Sequence, residues 1–295
     1  MQWNSFGRYD IAAIETGRFR LDGGAMFGVV PRNLWEKHNP PDEKNRIAMT
    51  MRTLVLRDAE RVILVDAGVG RKDSPKFRDI FAIDFSDVNL ESGLAALGLQ
   101  ATDVTDVVVT HLHFDHIGGA VSREDDALRL TFPRAMHHVQ RAQWEWAISP
   151  SQRDRASYIP DNFLPLEEAG RLQLLDVEEE LFPGMRVEVI DGHTFGQQLL
   201  RLTEGDQSVV FAADLIPMSS HVPEAWIMGY DLQPLVTLEE KRRLLTLAVE
   251  RQDILIYEHD AFCEASLVRR DDKGYRAHEH GTLDHVLHAA GRGGA

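Results

Sequence analysis

Short apolar runs recur along the chain, each bounded by polar or turn-forming residues. Thr53-Leu54-Val55-Leu56, Val62-Ile63-Leu64-Val65 and Asp106-Val107-Val108-Val109 come first. Val187-Glu188-Val189-Ile190, Ser208-Val209-Val210-Phe211 and Ile254-Leu255-Ile256-Tyr257 follow. Runs of this length and composition predict buried strands. Helical patterns intervene: Leu90 to Leu97, stopped by Gly98; Arg141 to Ile148, stopped before Pro150; and Leu238 to Val249. Strands alternating with helices predict an α/β protein. With no fixed-period repeat and no long linker, one domain over residues 1–290 is expected. Residues 22–50 and 149–165 read as loop-rich decorations, the second carrying Pro150, Pro160 and Pro165. The Gly-rich tail 291–295 is expected to be disordered.

The polar residues that end these runs carry the chemistry. After Val109 comes Thr110-His111-Leu112-His113-Phe114-Asp115-His116-Ile117-Gly118-Gly119, with three imidazoles and a carboxylate in six positions. His and Asp are the donors that hold zinc and similar ions. In extended backbone, residues two apart share a side, so His111 and His113 can grip one ion. Asp115 and His116 follow the turn, suit a second ion, and precede glycines that permit a tight bend. Other strands also end in candidate ligands: Ile190 leads to His193, Ala213 to Asp214, Tyr257 to His259, and Val65 to Asp66. In α/β sheets functional groups gather beyond the carboxyl ends of strands.

Composition narrows the alternatives. At 295 residues and 43% hydrophobic, the chain can bury a substantial core. A formal charge of -15 weighs against tracking a nucleic-acid backbone. The single cysteine, Cys263, permits no intrachain disulfide and is expected to pack as a small apolar group. The first residues lack the basic start and apolar block of a signal peptide, and no apolar run approaches the roughly 20 residues of a membrane span, so a cytoplasmic protein without membrane attachment is expected. No Gly-x-Ser-x-Gly elbow occurs, which disfavours a serine hydrolase. His137, His138, His278, His280, His285 and His288 lack ligand spacing and are expected to be structural or exposed.

The ordered set His111-x-His113-x-Asp115-His116, Gly192-His193-Thr194, Asp214 and His259, preceded by Leu64-Val65-Asp66-Ala67-Gly68, resembles the metallo-β-lactamase superfamily of dinuclear hydrolases. The likeness covers roughly residues 50 to 262. It implies a four-layer αβ/βα sandwich with the metal site at one edge between two sheets. Carried over by position, one ion takes His111, His113 and His193, the other takes Asp115, His116 and His259, and Asp214 bridges them. Asp66 then orients a ligand histidine without touching metal.

Zinc suits this donor set first, with Mn, Fe and Co as alternatives. Asp214 stands where zinc β-lactamases commonly carry Cys, and His113 where flavodiiron reductases carry Glu. The likeness therefore favours the hydrolase branches, among them glyoxalase II and the phosphodiesterases, and Phe211-Ala212-Ala213-Asp214-Leu215-Ile216-Pro217 followed by His221, Trp226 and Met228 is most like the quorum-quenching lactonase and methyl parathion hydrolase-like branch. Two departures from that branch stand out: residues 192–197 lack the usual Pro and second His, and Pro217 replaces a lactonase-type Tyr. The implied chemistry is attack by a metal-bridging hydroxide on a carboxylic ester, lactone or organophosphate, with Asp115 passing a proton to the leaving group. Phe114, Met218, His221, Trp226 and Met228 are the substrate-pocket candidates. The same likeness admits a homodimer in which 22–50 covers a neighbour's pocket. The rival readings are a thioesterase like glyoxalase II and a metal-stabilised binding or sensing protein without turnover.

Overall fold

The structure, a computed structural model, describes residues 2–291. Residues 292–295 of the expected disordered tail lie outside the described residues. The strands, in chain order, are β1 (Asn4–Phe6), β2 (Tyr9–Asp22), β3 (Arg46–Arg57), β4 (Val62–Val65), β5 (Asp106–Val108), β6 (Val121–Glu124), β7 (Ala127–Leu130), β8 (Met136–Gln140) and β9 (Leu172–Leu175), then β10 (Glu180–Phe182), β11 (Met185–Ile190), β12 (Gln197–Glu204), β13 (Gln207–Phe211), β14 (Ile254–Ile256), β15 (Ala265–Asp271) and β16 (Gly274–Gly281). They form two mixed seven-stranded sheets, β1-β2-β3-β4-β5-β8-β9 and β10-β11-β12-β13-β14-β15-β16, plus the β6-β7 ribbon. The expected α/β class is therefore the observed one.

The chain divides into two compact units. The first comprises Met1–Arg18, Met51–Glu178 and Gly196–Gln198. In it β4, β5, β8 and β9 run parallel, with Val65 beside Val108. Parallel register makes β4 and β5 end at the same level, so Asp66 and His111 leave the sheet from one edge. The unit's core gathers Ile14, Leu64, Leu94, Val107, Ile117 and Trp144, each burial contributing roughly 1.5–3 kcal/mol. Its helix Leu90–Ala96 starts on a reciprocal cap between Asn89 and Ser92 and buries Leu90 and Leu94. The 149–165 stretch lies in this unit. It holds three short helical turns, and Trp146 Nε1 donates to Asp154 Oδ2 at 2.7 Å.

The second unit comprises Phe19–Thr50, Glu179–Phe195 and Leu199–Ala295. Here β13 and β14 are parallel, with Phe211 beside Ile256, and their exits carry Asp214 and His259. The 22–50 stretch builds a small aromatic core within this unit. Phe27 stacks on Trp35 at 5.2 Å and on His221 at 4.5 Å. Among the described residues, no helix is long and apolar enough to cross a membrane.

Candidate metal centre

In the first unit, β4 ends and the chain turns through Asp66, whose φ of +62° lies in the left-handed region. A non-glycine residue is held there only when its surroundings fix it. They do: the buried Asp66 carboxylate accepts Thr110 N–H at 2.7 Å and Thr110 Oγ1–H at 2.6 Å, and lies 3.0 Å from His116 Nδ1. Thr110 Oγ1 also lies 3.1 Å from His111 Nδ1. The hydroxyl has one hydrogen, and it goes to Asp66. The His111 contact therefore takes its hydrogen from the ring, which leaves the lone pair on Nε2. The same logic puts the His116 lone pair on Nε2. One buried carboxylate thus sets two histidines, the second directly and the first through Thr110.

His111 Nε2 and His113 Nδ1 face each other at 2.9 Å, and the His113 ring lies 4.7 Å from that of Tyr158. Asp115 and His116 occupy the single helical turn Phe114–Ile117. Gly118 and Gly119 follow, in a role the bend argument misses. Gly118 is in ordinary right-handed helical backbone (φ -54°, ψ -35°). A Cβ there would lie 2.2 Å from the Val69 carbonyl oxygen, and one on Gly119 would lie 2.1 Å from that of Ala67. Close approach of the 67–69 loop, rather than the turn, demands glycine. Lys72 secures that approach, donating to the carbonyls of Gly118 and Val121. Burial pulls its pKa down to about 8.

In the second unit, Asp214 follows Ala213, which is also left-handed at φ +43°. Its two carboxylate oxygens meet different histidines: Oδ2 lies 3.2 Å from His193 Nε2, and Oδ1 lies 3.1 Å from His259 Nε2. Each ring is held from behind. His193 Nδ1 lies 2.9 Å from Asp231 Oδ1, and His259 Nδ1 donates to the Thr50 carbonyl at 3.0 Å.

The seven expected ligands are all buried, His111, His113, Asp115 and His116 in the first unit and His193, Asp214 and His259 in the second. The Asp66 oxygens already hold Thr110 and His116. A donor set of imidazoles and carboxylates, with Nδ1 of His111, His116, His193 and His259 tied to protein oxygens, fits divalent ions.

The pocket candidates are placed variously. Phe114 sits at the head of its turn with ring centroids 5.1 Å from Phe77 and 4.9 Å from Phe81. Met218 and Met228 are buried, and Asn39 Nδ2 donates to Met218 Sδ at 3.4 Å. His221 donates from Nε2 to the Met26 carbonyl at 2.8 Å, and burial drives its pKa down to about 3. It is a neutral core group in the second unit. Trp226 is half-buried and meets Phe27 edge-on at 5.7 Å. Sequence reasoning missed Asp231, Tyr158, Phe77 and Phe81. The last two, four apart beside Pro75, carried a helix-face signal.

Residues 52–259 match the family model described as the metallo-beta-lactamase superfamily, and the chain belongs to that superfamily. It is 31% identical over 152 residues to the probable metallo-hydrolase Rv2300c of Mycobacterium tuberculosis, a match covering 45% of each chain. It is 29% identical over 174 residues to the N-acyl homoserine lactonase AttM of Rhizobium johnstonii, covering 56% of this chain and 61% of that one. The chain thus spans less than two thirds of the length of these relatives. Among solved structures, a probable metal-dependent hydrolase from Staphylococcus aureus is 28% identical with a TM-score of 0.85, over 94% of this chain and 98% of that one.

Proposed function

We propose that the protein is a dinuclear metal-dependent hydrolase that cleaves a carboxylic ester or lactone bearing an apolar group. The observation that carries this reading is Asp214: each of its oxygens faces the Nε2 of a different, independently anchored histidine, at 3.2 and 3.1 Å. A carboxylate so placed suits a bridge between two ions. Divalent ions bound by these histidines and aspartates would supply an ionised water at neutral pH and Lewis acidity toward the substrate carbonyl.

The chain's own residues do the rest. Asp66 and Thr110 fix the tautomers of His111 and His116, so no reorganisation is needed at the moment of reaction. Asp115, 7% exposed on the turn that carries His116, is placed to hold a proton for the departing alkoxide. Phe77 and Phe81, packed on Phe114 next to these ligands, offer an aromatic surface for an acyl or aryl group. The relationship to a lactonase supports lactones as first substrates.

The test is metal content per chain by elemental mass spectrometry, for wild-type protein and Asp214→Ala, followed by hydrolysis of lactones, aryl esters and phosphotriesters. Two equivalents in wild type are expected, fewer in the variant. Activity should fall by at least the roughly 10²–10³-fold that follows loss of one transition-state electrostatic contact. One equivalent in both proteins, with full activity in the variant, would sink the bridge.

A further inference from the structure

The 18-residue helix Pro234–Arg251 carries polar side chains on the face that meets the ligand loops of the second unit. Thr237, Glu240 and Lys241 are spaced three and four apart and so share that face. The Glu240 carboxylate accepts the N–H groups of Asp191 and Gly192 at 2.8 and 3.1 Å. Just before the helix, Gln233 N donates to the Gly192 carbonyl at 2.8 Å and Leu232 N donates to that of His193 at 3.1 Å. The approach is so close that a Cβ on Gly192 would lie 2.4 Å from Thr237 Oγ1. Lys241 Nζ donates to the carbonyls of His221, Pro223 and Trp226 at 2.7, 3.0 and 2.7 Å, tying down the loop beyond Asp214.

At the centre of this arrangement is Asp231. It is 3% exposed and its two oxygens have different partners. Thr237 Oγ1 donates to Oδ2 at 2.8 Å, which leaves Oδ1 facing His193 Nδ1 at 2.9 Å. We infer that Asp231 is the positioning residue of His193, holding a proton on Nδ1 so that the Nε2 lone pair points toward Asp214, with Thr237 fixing the carboxylate that does so. This rests on the metal-site reading above and adds to it. The first unit orients His116 through Asp66. The second has its own carboxylate–histidine pair, built from a residue outside every ligand motif. Outer carboxylates of this kind raise ligand basicity and restrict ring rotation. A buried aspartate with a purely structural role would stabilise the fold without changing the affinity of any ion.

That difference defines the experiment. Metal-loaded wild type, Asp231→Ala, Asp231→Asn and Thr237→Val are challenged with graded chelator, and the release of each equivalent is followed. The cobalt-loaded forms are compared by visible absorption. In Asp231→Ala one equivalent should be released at roughly 10–100-fold lower chelator strength while the other is nearly unchanged, the loss expected when an outer partner is removed. Asp231→Asn keeps an acceptor oxygen for Nδ1 and should recover most of that loss. Thr237→Val should fall between them, with a perturbed cobalt spectrum and a melting temperature close to wild type. It decides the matter if Asp231→Ala does not fold. Both equivalents held with wild-type affinity and spectrum in Asp231→Ala, or in Thr237→Val alone should Asp231→Ala not fold, overturn the inference and leave the hydrolase reading standing. Wild-type protein that binds no divalent metal overturns that reading and this inference with it.

Discussion

The 110–119 segment and the three strand-end ligands His193, Asp214 and His259 hold the same kinds of side chain by different means. In the segment the anchoring is shared. Asp66 serves His116 directly and His111 through Thr110, and two glycines let the 67–69 loop press against the backbone that carries both. Among the strand-end ligands the anchoring is individual: Asp231 stands behind His193 and the Thr50 carbonyl behind His259. Shared anchoring is economical in sequence and fragile, because one cut loosens several ligands. Individual anchoring needs more residues and fails one ligand at a time. The number of metal equivalents weakened by each substitution therefore separates the two designs.

The largest effect is expected at Gly119. Gly119→Ala places a Cβ against the Ala67 carbonyl oxygen, and backbone on both sides must shift. Overpacking of this kind costs about 1–3 kcal/mol, and the upper end or beyond is expected where the obstacle is backbone rather than a flexible side chain. Thermal denaturation should show it, with both metal equivalents weakened together. An unchanged melting temperature would break the close-approach account and return the glycines to a turn role.

The next effect in size is expected at a buried histidine outside the proposed site. His137 on β8 is fully buried, its Nδ1 against the Arg171 carbonyl at 3.1 Å, and it is not one of the seven proposed ligands. Burial, partly offset by that carbonyl, lowers its pKa from 6.5 to about 4. The folded state therefore binds this proton more weakly than the unfolded state. Stability from this site is complete above pH 6.5 and is lost as pH falls toward 4, by about 3 kcal/mol across the window. Chemical denaturation at stepped pH should show the slope, and His137→Phe should flatten it. A variant with the same acid slope as wild type would assign the loss to other groups.

Third is Asp66→Ala. Removing a shared anchor should weaken ion binding roughly 10–100-fold. The distinguishing feature is breadth: both equivalents should respond, because the proposed reading gives His111 and His116 to different ions. Weakening of a single equivalent would show that Thr110 holds His111 unaided.

The same contrast explains how much was legible in the sequence. The 110–119 segment, His193, Asp214 and His259 each follow a readable apolar run, and β4, β5, β13 and β14 begin and end within a residue or so of where composition places them. Parallel pairing then carries those ends to common edges. Other strands were hidden. β2 is broken by Glu15, Thr16, Gly17 and Arg18, and the β15-β16 hairpin turns through exposed Arg, Asp and Lys residues, so neither shows an apolar run. Asp231 lies 38 residues from His193 in an otherwise unremarked turn. Nothing local marks it, because a hydrogen bond across a fold leaves no periodic trace. The reason for Gly118 and Gly119 was equally invisible, since a steric demand set by a distant carbonyl cannot be read from the glycine itself.

The smallest effect tests a lightly anchored part of the first unit. The helix Pro75–Phe81 starts on the Ser74 side-chain cap, has Pro75 in its first turn and buries no residue of its own. Its attachment includes the contacts of Phe77 and Phe81, 4.7 Å apart, with Phe114. Both rings stay half-exposed, and Ile80 beside them is 52% exposed. Truncating Phe81 should therefore change stability little. If this surface receives the apolar part of the substrate, Phe81→Ala should lower kcat/KM for a long acyl chain about tenfold, or about 1.4 kcal/mol. That loss should appear in KM, as expected for binding shared by ground and transition states. A short acyl chain that never reaches the ring should be hydrolysed at the wild-type rate. Equal losses on both substrates, carried in kcat, would mean that Phe81 acts through Phe114 on the neighbouring ligand turn. The helix would then belong with the shared anchoring of the first unit, not with substrate recognition.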